Sequence, residues 1–239
     1  MIIPIDMLEF QQNGGFVNNH IELLSKVPLF ENIEPDEIEV ILSRLDVYVR
    51  KYNKDQYIRR SGDPADFIGI ILEGEIQILQ DDYYGNRSIT ATFGRGSLFA
   101  EAFACSGIME LPVDILACSN AEILFINKGR LLHTCNHSCT YHHSLISNLL
   151  GIVSRKNLVL NQKLQYSAHK TTREKLMAYL NVQAKQHHSL EFDIPFDRQA
   201  LADYLGVERS AMSAEIGKLV KLGYIETRRS HFKLFMHPD

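Results

Sequence analysis

Residues 197–235 read "DRQALADYLGVERSAMSAEIGKLVKLGYIETRRSHFKLF", and the spacing inside this stretch decides the fold of the C-terminal end. Asp197 can accept hydrogen bonds from the free N–H groups of a first helical turn, and Leu201, Ala202 and Leu205 then fall on one face. Gly206, four residues after Ala202, supplies a backbone angle that a side chain resists. The small Ala202 lets a second helix cross close by. That helix begins near Glu208 and turns Met212, Ile216 and Leu219 inward. A small residue, a turn glycine and an apolar residue six places beyond the glycine are the spacing of a helix-turn-helix. Gly223 closes the second helix, and "YIETRRSHFKLF" reads as a two-stranded wing with Arg228 and Arg229 at its turn.

The outward positions of the second helix are Arg209, Ser210, Ser213 and Ala214. A guanidinium at Arg209 can bond guanine bidentately in a major groove. Ser210 and Ser213 can reach bases or phosphates less selectively. Arg198, at the start of the first helix, and Arg228, Arg229 and Lys233 of the wing suit phosphate contacts. The other use of such a hairpin is a protein contact, which would not call for an arginine on the recognition face.

Upstream, Thr171 and Glu174 form a capping box that restarts a helix in "TTREKLMAYL", so Ser167–Lys170 reads as a hinge. Residues 131–168 keep a helical period. On a heptad reading His143, Leu150, Asn157 and Leu164 share one position, and Ile146, Val153, Leu160 and Ser167 the other. A two-stranded coiled coil is expected, with Ile146, Leu150, Val153, Asn157, Leu160 and Leu164 in the interface and Asn157 setting register. The alternative is a helix lying on its own domain.

Between Asp46 and Asn127 the period is two. "FIGIILEGEIQIL" (67–79) is two apolar runs about a Glu-Gly turn, and "DDYYGN" (81–86) separates the next pair, with Gly85-Asn86 supplying the turn geometry. Short strands at regular spacing predict an antiparallel barrel or roll. Residues 21–45 read as two short helices, one broken at Pro28 and one starting at Pro35. The fold class is therefore α+β, in three parts: a jelly-roll-like antiparallel β-roll with short N-terminal helices (1–130), a dimerisation helix and hinge (131–168), and a winged helix-turn-helix (169–239).

The net charge of −4 over 239 residues hides a gradient. Residues 1–130 carry a net of −9, residues 131–168 a net of +3 and residues 169–239 a net of +2. Only the C-terminal end suits a polyanion. The sequence has no run of 18 apolar residues and no basic, apolar leader, so the cytoplasm is the expected location. Four cysteines, all after residue 104, do not make a disulfide framework.

In this order of parts the chain resembles the Crp/Fnr family of bacterial transcription regulators. The stretches that carry the likeness are "VPLFENI" (27–33), "EGEIQIL" (73–79), "FAEAFACSG" (99–107), "PVDILA" (112–117) and "LADYLGVERSAMS" (201–213). "DYYGNRSI" and "TTREKLMAYLNVQ" resemble the clostridial branch. The resemblance implies a homodimer with one effector pocket per β-roll. It further implies DNA half-sites related by a two-fold axis, DNA bending, and contact with RNA polymerase. Ala214 falls where several members carry a DNA-contacting arginine, and Glu215 where many carry an apolar residue.

The loop "LFAEAFACSGIMELPVDILA" (98–117) contains Glu101, Glu110 and Asp114 but no Lys, Arg or His. In cyclic-AMP-binding members a Gly-Glu pair here is followed, ten and eleven residues after the Glu, by an Arg-Ser pair that holds the phosphate. Here Ala100 precedes Glu101, and the two later positions are Leu111 and Pro112. A cyclic phosphate would lose its charge-assisted partner and face acids, so the expected effector is not cyclic AMP. Leu98, Phe99, Glu101, Phe103, Cys105 and Leu111 are the candidate lining residues. The absence of cysteine before Cys105 argues against an N-terminal iron–sulfur cluster. The roll lacks the histidines of a cupin-like metalloenzyme, and no nucleophile–base pair stands out, so no enzyme is expected. "HTCNHSCTYHH" gathers His133, Cys135, His137, Cys139, His142 and His143 where the roll meets the long helix. A metal, haem or redox sensor built on that cluster is the competing reading. A ligand-binding module that contacts protein rather than DNA is the third.

Overall fold

In the computed structural model, residues 20–84, 87–132 and 140–235 are described. The chain divides into two compact units, Met1–Ser154 and Arg155–Asp239.

The first unit opens with α1 (Ile21–Leu24), a 3-10 turn (Pro28–Phe30) and α2 (Pro35–Arg44). Pro35 sits at the first helical position, where its missing N–H costs nothing. Glu37 reaches back to the Glu34 N–H at 3.2 Å. Eight strands follow, β1 (Val47–Tyr52), β2 (Tyr57–Arg59), β3 (Phe67–Glu73), β4 (Glu75–Asp81), β5 (Arg87–Gly94), β6 (Leu98–Phe99), β7 (Asp114–Ala117) and β8 (Ala121–Asn127), with α3 (Glu101–Ser106) between β6 and β7. They pair antiparallel in two sheets ordered β1-β8-β3-β6 and β2-β7-β4-β5. The β4–β5 hairpin forms as read; its Gly85-Asn86 turn lies outside the described residues.

The first sheet is buried on both sides, so β3 and β8 read as nearly continuous apolar runs. Ile68, Ile70, Leu72, Leu124 and Ile126 pack against the N-terminal helices. Phe67, Ile71, Ile123 and Phe125 point the other way, into the roll, where they meet Ile58, Ile76, Ile115 and Ala117 of the second sheet. This is the strand period of two expressed as two separate cores. It also splits the expected lining set. Leu98 belongs to the helix-side core, whereas its neighbour Phe99 belongs to the roll interior; adjacent strand residues cannot line one pocket.

Gly69 of β3 faces Phe99 across the β3–β6 pair. A Cβ there would overlap the Phe99 ring, which is fully buried and cannot retreat. Gly69→Ala is expected to destabilise by about 1–3 kcal/mol through overpacking. Urea unfolding measures this, and pairing it with Phe99→Leu should return part of the loss. An unchanged midpoint in Gly69→Ala would mean that the ring moves freely.

After α4 (Lys128–Leu132), the long α5 (Thr140–Ala168) contributes Leu145, Leu149 and Ile152 to the first unit's core and Tyr166 to the second's. Beyond Ile152 its apolar residues are mostly outside. Leu158, Val159, Leu160 and Leu164 are all exposed, and so is Leu150 at 67%. Of the six expected interface positions, Leu150, Asn157, Leu160 and Leu164 are exposed, Ile146 is half-buried and Val153 leans on the first unit's core. Leu158 and Val159 join the exposed apolar set although the heptad count passed them over. Among the described residues no helix is long and apolar enough to cross a membrane.

The second unit holds α6 (Thr172–His187), β9 (Glu191–Asp193), α7 (Arg198–Leu205), α8 (Arg209–Lys221), β10 (Ile225–Arg228) and β11 (His231–Leu234). The capping box at Thr171 is present, with Glu174 N–H donating to Thr171 Oγ1 at 3.2 Å and Thr171 N–H to Glu174 Oε2 at 3.1 Å. The wing is not the two-stranded ribbon that the sequence suggested. β9 pairs with β11, giving a three-stranded sheet ordered β10-β11-β9. "EFD" (191–193) is too short and too polar to announce itself, and Phe192, buried in this unit's core, is what holds it there.

Candidate functional site

Asp197 caps α7, its Oδ1 accepting from the Ala200 N–H at 2.8 Å. Leu201, Ala202 and Leu205 are buried, and the helix ends at Gly206 with φ +60°. The Val207 N–H closes back on the Ala202 carbonyl at 3.0 Å. Lys175 of α6 brings its ammonium to the Leu205 and Gly206 carbonyls at 3.5 and 3.4 Å, a cation at the negative end of a helix. The turn that orients α8 is thus fixed from both sides.

α8 divides cleanly by face. Met212, Ile216 and Leu219 are buried, whereas Arg209, Ser210, Ser213 and Ala214 are exposed at its N-terminal end. Ile216 takes the packing role, and Glu215 is held by Lys218. At the wing tip Arg228 and Arg229 are exposed, with Arg229 at φ +57° in the turn. All of these positions face outward, as their spacing leads one to expect.

Two other expected phosphate contacts are placed differently. Arg198 turns inward, donating to Thr227 Oγ1 at 2.9 Å and lying 4.9 Å from the Phe232 ring centre. Burial lowers its pKa. The partners that hold its guanidinium come from the wing. Lys233 is half-buried, 3.9 Å from Glu191 and over the Phe235 ring.

His231 is flanked by Asp193 at 3.3 Å and Glu191 at 3.2 Å, and these two acids, Asp193 first, raise its pKa. A raised folded pKa adds stability below the ordinary imidazole value of about 6.5 and loses it as pH rises through the folded value. His231→Gln is expected to lower the thermal midpoint more at about pH 5.5 than at about pH 8.5. An equal effect at both pH values would remove this charge pairing from the account.

In the roll, Phe99 and Leu111 are buried among the interior apolar residues and Phe103 packs against them, while Cys105 is exposed. Partial desolvation of the sulfur first, and the negative charge of Glu101 second, push the Cys105 thiol pKa up, away from a reactive thiolate. Glu101 is buried at 3% exposure, at the start of α3 and after Ala100 with φ +62°. Leu111, the position at which the family resemblance leads one to expect a phosphate-binding arginine, is buried at 1% exposure. Its N–H donates to the Asp63 carbonyl at 2.8 Å, and its own carbonyl accepts from the Gly62 N–H at 2.9 Å. The late acid of the loop, Asp114, is matched by Arg87 at 3.2 Å and by the Ser61 N–H at 2.8 Å.

Sequence reasoning passed over Arg59. Its guanidinium lies 5.0 and 5.2 Å from the ring centres of Phe67 and Phe125 and donates to the Tyr48 hydroxyl at 2.9 Å. Those partners come from β1, β3 and β8, so nothing local to "YIRR" signals the contact. Of the Cys/His cluster, His133, Cys135, His137 and Cys139 lie outside the described residues. His142 Nε2 meets the Leu131 carbonyl at 2.7 Å, and His143 is exposed. Among the described residues no group of three or more His, Cys, Asp or Glu side chains is placed to hold a metal ion.

A β-roll followed by a long helix and a winged helix-turn-helix is the architecture of a two-domain transcription regulator. Residues 49–138 match the cyclic nucleotide-binding domain and residues 174–235 the Crp-like helix-turn-helix domain. The chain is 21% identical over 187 residues to the transcriptional activator protein FnrL of Cereibacter sphaeroides, covering 74% of this chain and 72% of that protein. It is 30% identical over 82 residues to a cyclic nucleotide-gated cation channel protein of Drosophila melanogaster, a match that covers 34% of this chain and only 12% of the channel protein. The sensor domain of the transcriptional regulator DNR from Pseudomonas aeruginosa has the same fold, with a TM-score of 0.50 at 19% identity over 63% of this chain and 94% of that one. The chain belongs to the Crp/Fnr family of transcription regulators.

Proposed function

We propose that the protein is a homodimeric, sequence-specific DNA-binding regulator controlled by a small effector, other than cyclic AMP, bound in its β-roll. The observation that carries this reading is the division of α8. Its buried face anchors it against α7, and its other face offers Arg209, Ser210 and Ser213 at the N-terminal end, beside a wing tipped with Arg228 and Arg229. Base reading falls to Arg209, and backbone positioning to the wing arginines.

Dimerisation is supported by the apolar side of α5. Leu150, Leu158, Leu160 and Leu164 are exposed on a helix that a partner copy could cover. Two copies would place two recognition helices on half-sites about one helical turn apart. Rejection of cyclic AMP is supported by Leu111, an apolar side chain tied by backbone hydrogen bonds at the position where a phosphate partner would be needed. An apolar or weakly polar effector fits the aromatic interior better.

The test is selection of a binding site from random duplexes, followed by anisotropy titration across salt concentrations and sedimentation of the free protein. The expected result is a dimer selecting a two-fold-symmetric site, with affinity falling steeply as salt rises and unaffected by cyclic AMP. A monomer, or no salt-dependent affinity for any duplex, would overturn the reading.

A further inference from the structure

Arg198 opens α7, beside the surface offered to DNA, yet its side chain serves the interior of the unit. Nη2 donates to Thr227 Oγ1 at 2.9 Å, and the Thr227 hydroxyl in turn donates to the His231 carbonyl at 2.8 Å. The guanidinium covers the Phe232 ring, 4.9 Å from its centre. Nη1 is buried without a hydrogen-bond partner. Thr227 lies on β10, and His231 and Phe232 lie on β11. One side chain therefore ties the first helix of the helix-turn-helix to both strands of the wing.

The wing is a small three-stranded sheet whose Ile225, Phe232 and Leu234 are anchored in the unit's core, and the Arg198 contact adds a polar tie near its tip. β10 and β11 pair over four residues each, and β9 adds only three more on one side. The arginines that the wing presents, Arg228 and Arg229, lie at the tip, one and two residues beyond Thr227. A small rotation of the ribbon at Thr227 is therefore carried directly to them.

We propose that Arg198 is a positioning residue of the DNA-binding surface, setting the wing against α7 through Thr227 and Phe232 so that Arg228 and Arg229 meet the phosphate backbone. The role rests on the DNA-binding reading above and goes beyond it, because it takes Arg198 out of the set of phosphate contacts and gives it control over two others.

The test is a double-mutant cycle on the full chain, using the selected duplex and anisotropy. Arg198→Met keeps the apolar stem and cannot donate; it is expected to weaken binding about tenfold, the size of a coupled-neighbour effect. In a background carrying Arg228→Ala and Arg229→Ala, the same change should add nothing, since the contacts it governs are already gone. Thr227→Val, which keeps the Arg198 charge and removes its acceptor, should weaken binding to the same degree. It also carries the test if Arg198→Met fails to fold. An additive loss in the Arg228/Arg229 background, with the salt slope falling by about 0.9 more as expected for one further phosphate contact, would overturn the proposal, as would full affinity in Thr227→Val. A wild type with no salt-dependent DNA affinity would instead remove the DNA-binding reading itself, a result distinct from additivity.

Discussion

Replacing Phe125 with alanine is expected to be the most damaging single change in the first unit, costing about 3–5 kcal/mol. Phe125 lies at the junction of the roll's interior aromatic residues. Its ring stacks on Tyr48 with centres 4.9 Å apart, meets Phe67 edge-on at 5.2 Å and Tyr52 at 6.4 Å, and carries the Arg59 guanidinium 5.2 Å from its centre. Truncation removes transfer free energy and leaves a cavity that β-strands on both sides cannot close. It also takes away one of the two aromatic faces over which Arg59 is held, each worth about 0.5–2 kcal/mol. For a domain of this size 1 kcal/mol moves the thermal midpoint by roughly 2–4 °C. A fall on the order of 10 °C is expected, with Phe125→Leu falling much less. A midpoint within about 2 °C of the wild type would mean that the aromatic cluster is not the structural centre of the roll.

The largest expected effect on binding is that of Arg209→Ala. Arg209 is the first residue of α8, exposed, with its backbone set by a turn that Gly206, Ala202 and Lys175 hold in place. A bidentate guanidinium–guanine pair discriminates by about 1–3 kcal/mol, so each half-site should lose roughly 5- to 150-fold in affinity. The guanine preference at one position of each half-site should relax as well. Binding to random duplex should change little, since that affinity comes mostly from phosphate contacts. Competition titrations with specific and scrambled duplexes separate the two. An Arg209→Ala variant that keeps its affinity within twofold and keeps its selectivity would move base reading to Ser210 or Ser213.

The helix-turn-helix was readable because its constraints are local. Ala202, Gly206 and Met212 lie within eleven consecutive residues, and each is demanded by a turn or a crossing that the neighbouring residues build. The Thr171–Glu174 capping box and the β4–β5 hairpin were legible for the same reason. What failed to show in the sequence depends on residues distant along the chain. β9 is a strand only because β11 offers it a ladder, and Phe192 is buried only by the core it completes. Arg198 looks like any basic residue at a helix start until Thr227, 29 positions later, accepts its hydrogen bond. Arg59 has the same history with Tyr48, Phe67 and Phe125.

The loop of residues 98–117 shows the division most sharply. Its lack of any Lys, Arg or His, with Leu111 and Pro112 ten and eleven residues after Glu101, was already written in the order of residues. The succession of roll, long helix and winged helix was written there too, since period-two and period-3.6 patterns are properties of the chain. Which face each residue takes was left to packing. Leu98 and Phe99 are neighbours in sequence but enter different cores, and the loop's late acid, Asp114, is paired by Arg87 from another strand. Alternation along a strand fixes that two residues point apart. Which of them meets the interior is settled by the second sheet and by the helices that pack against the first, and those come from elsewhere in the chain.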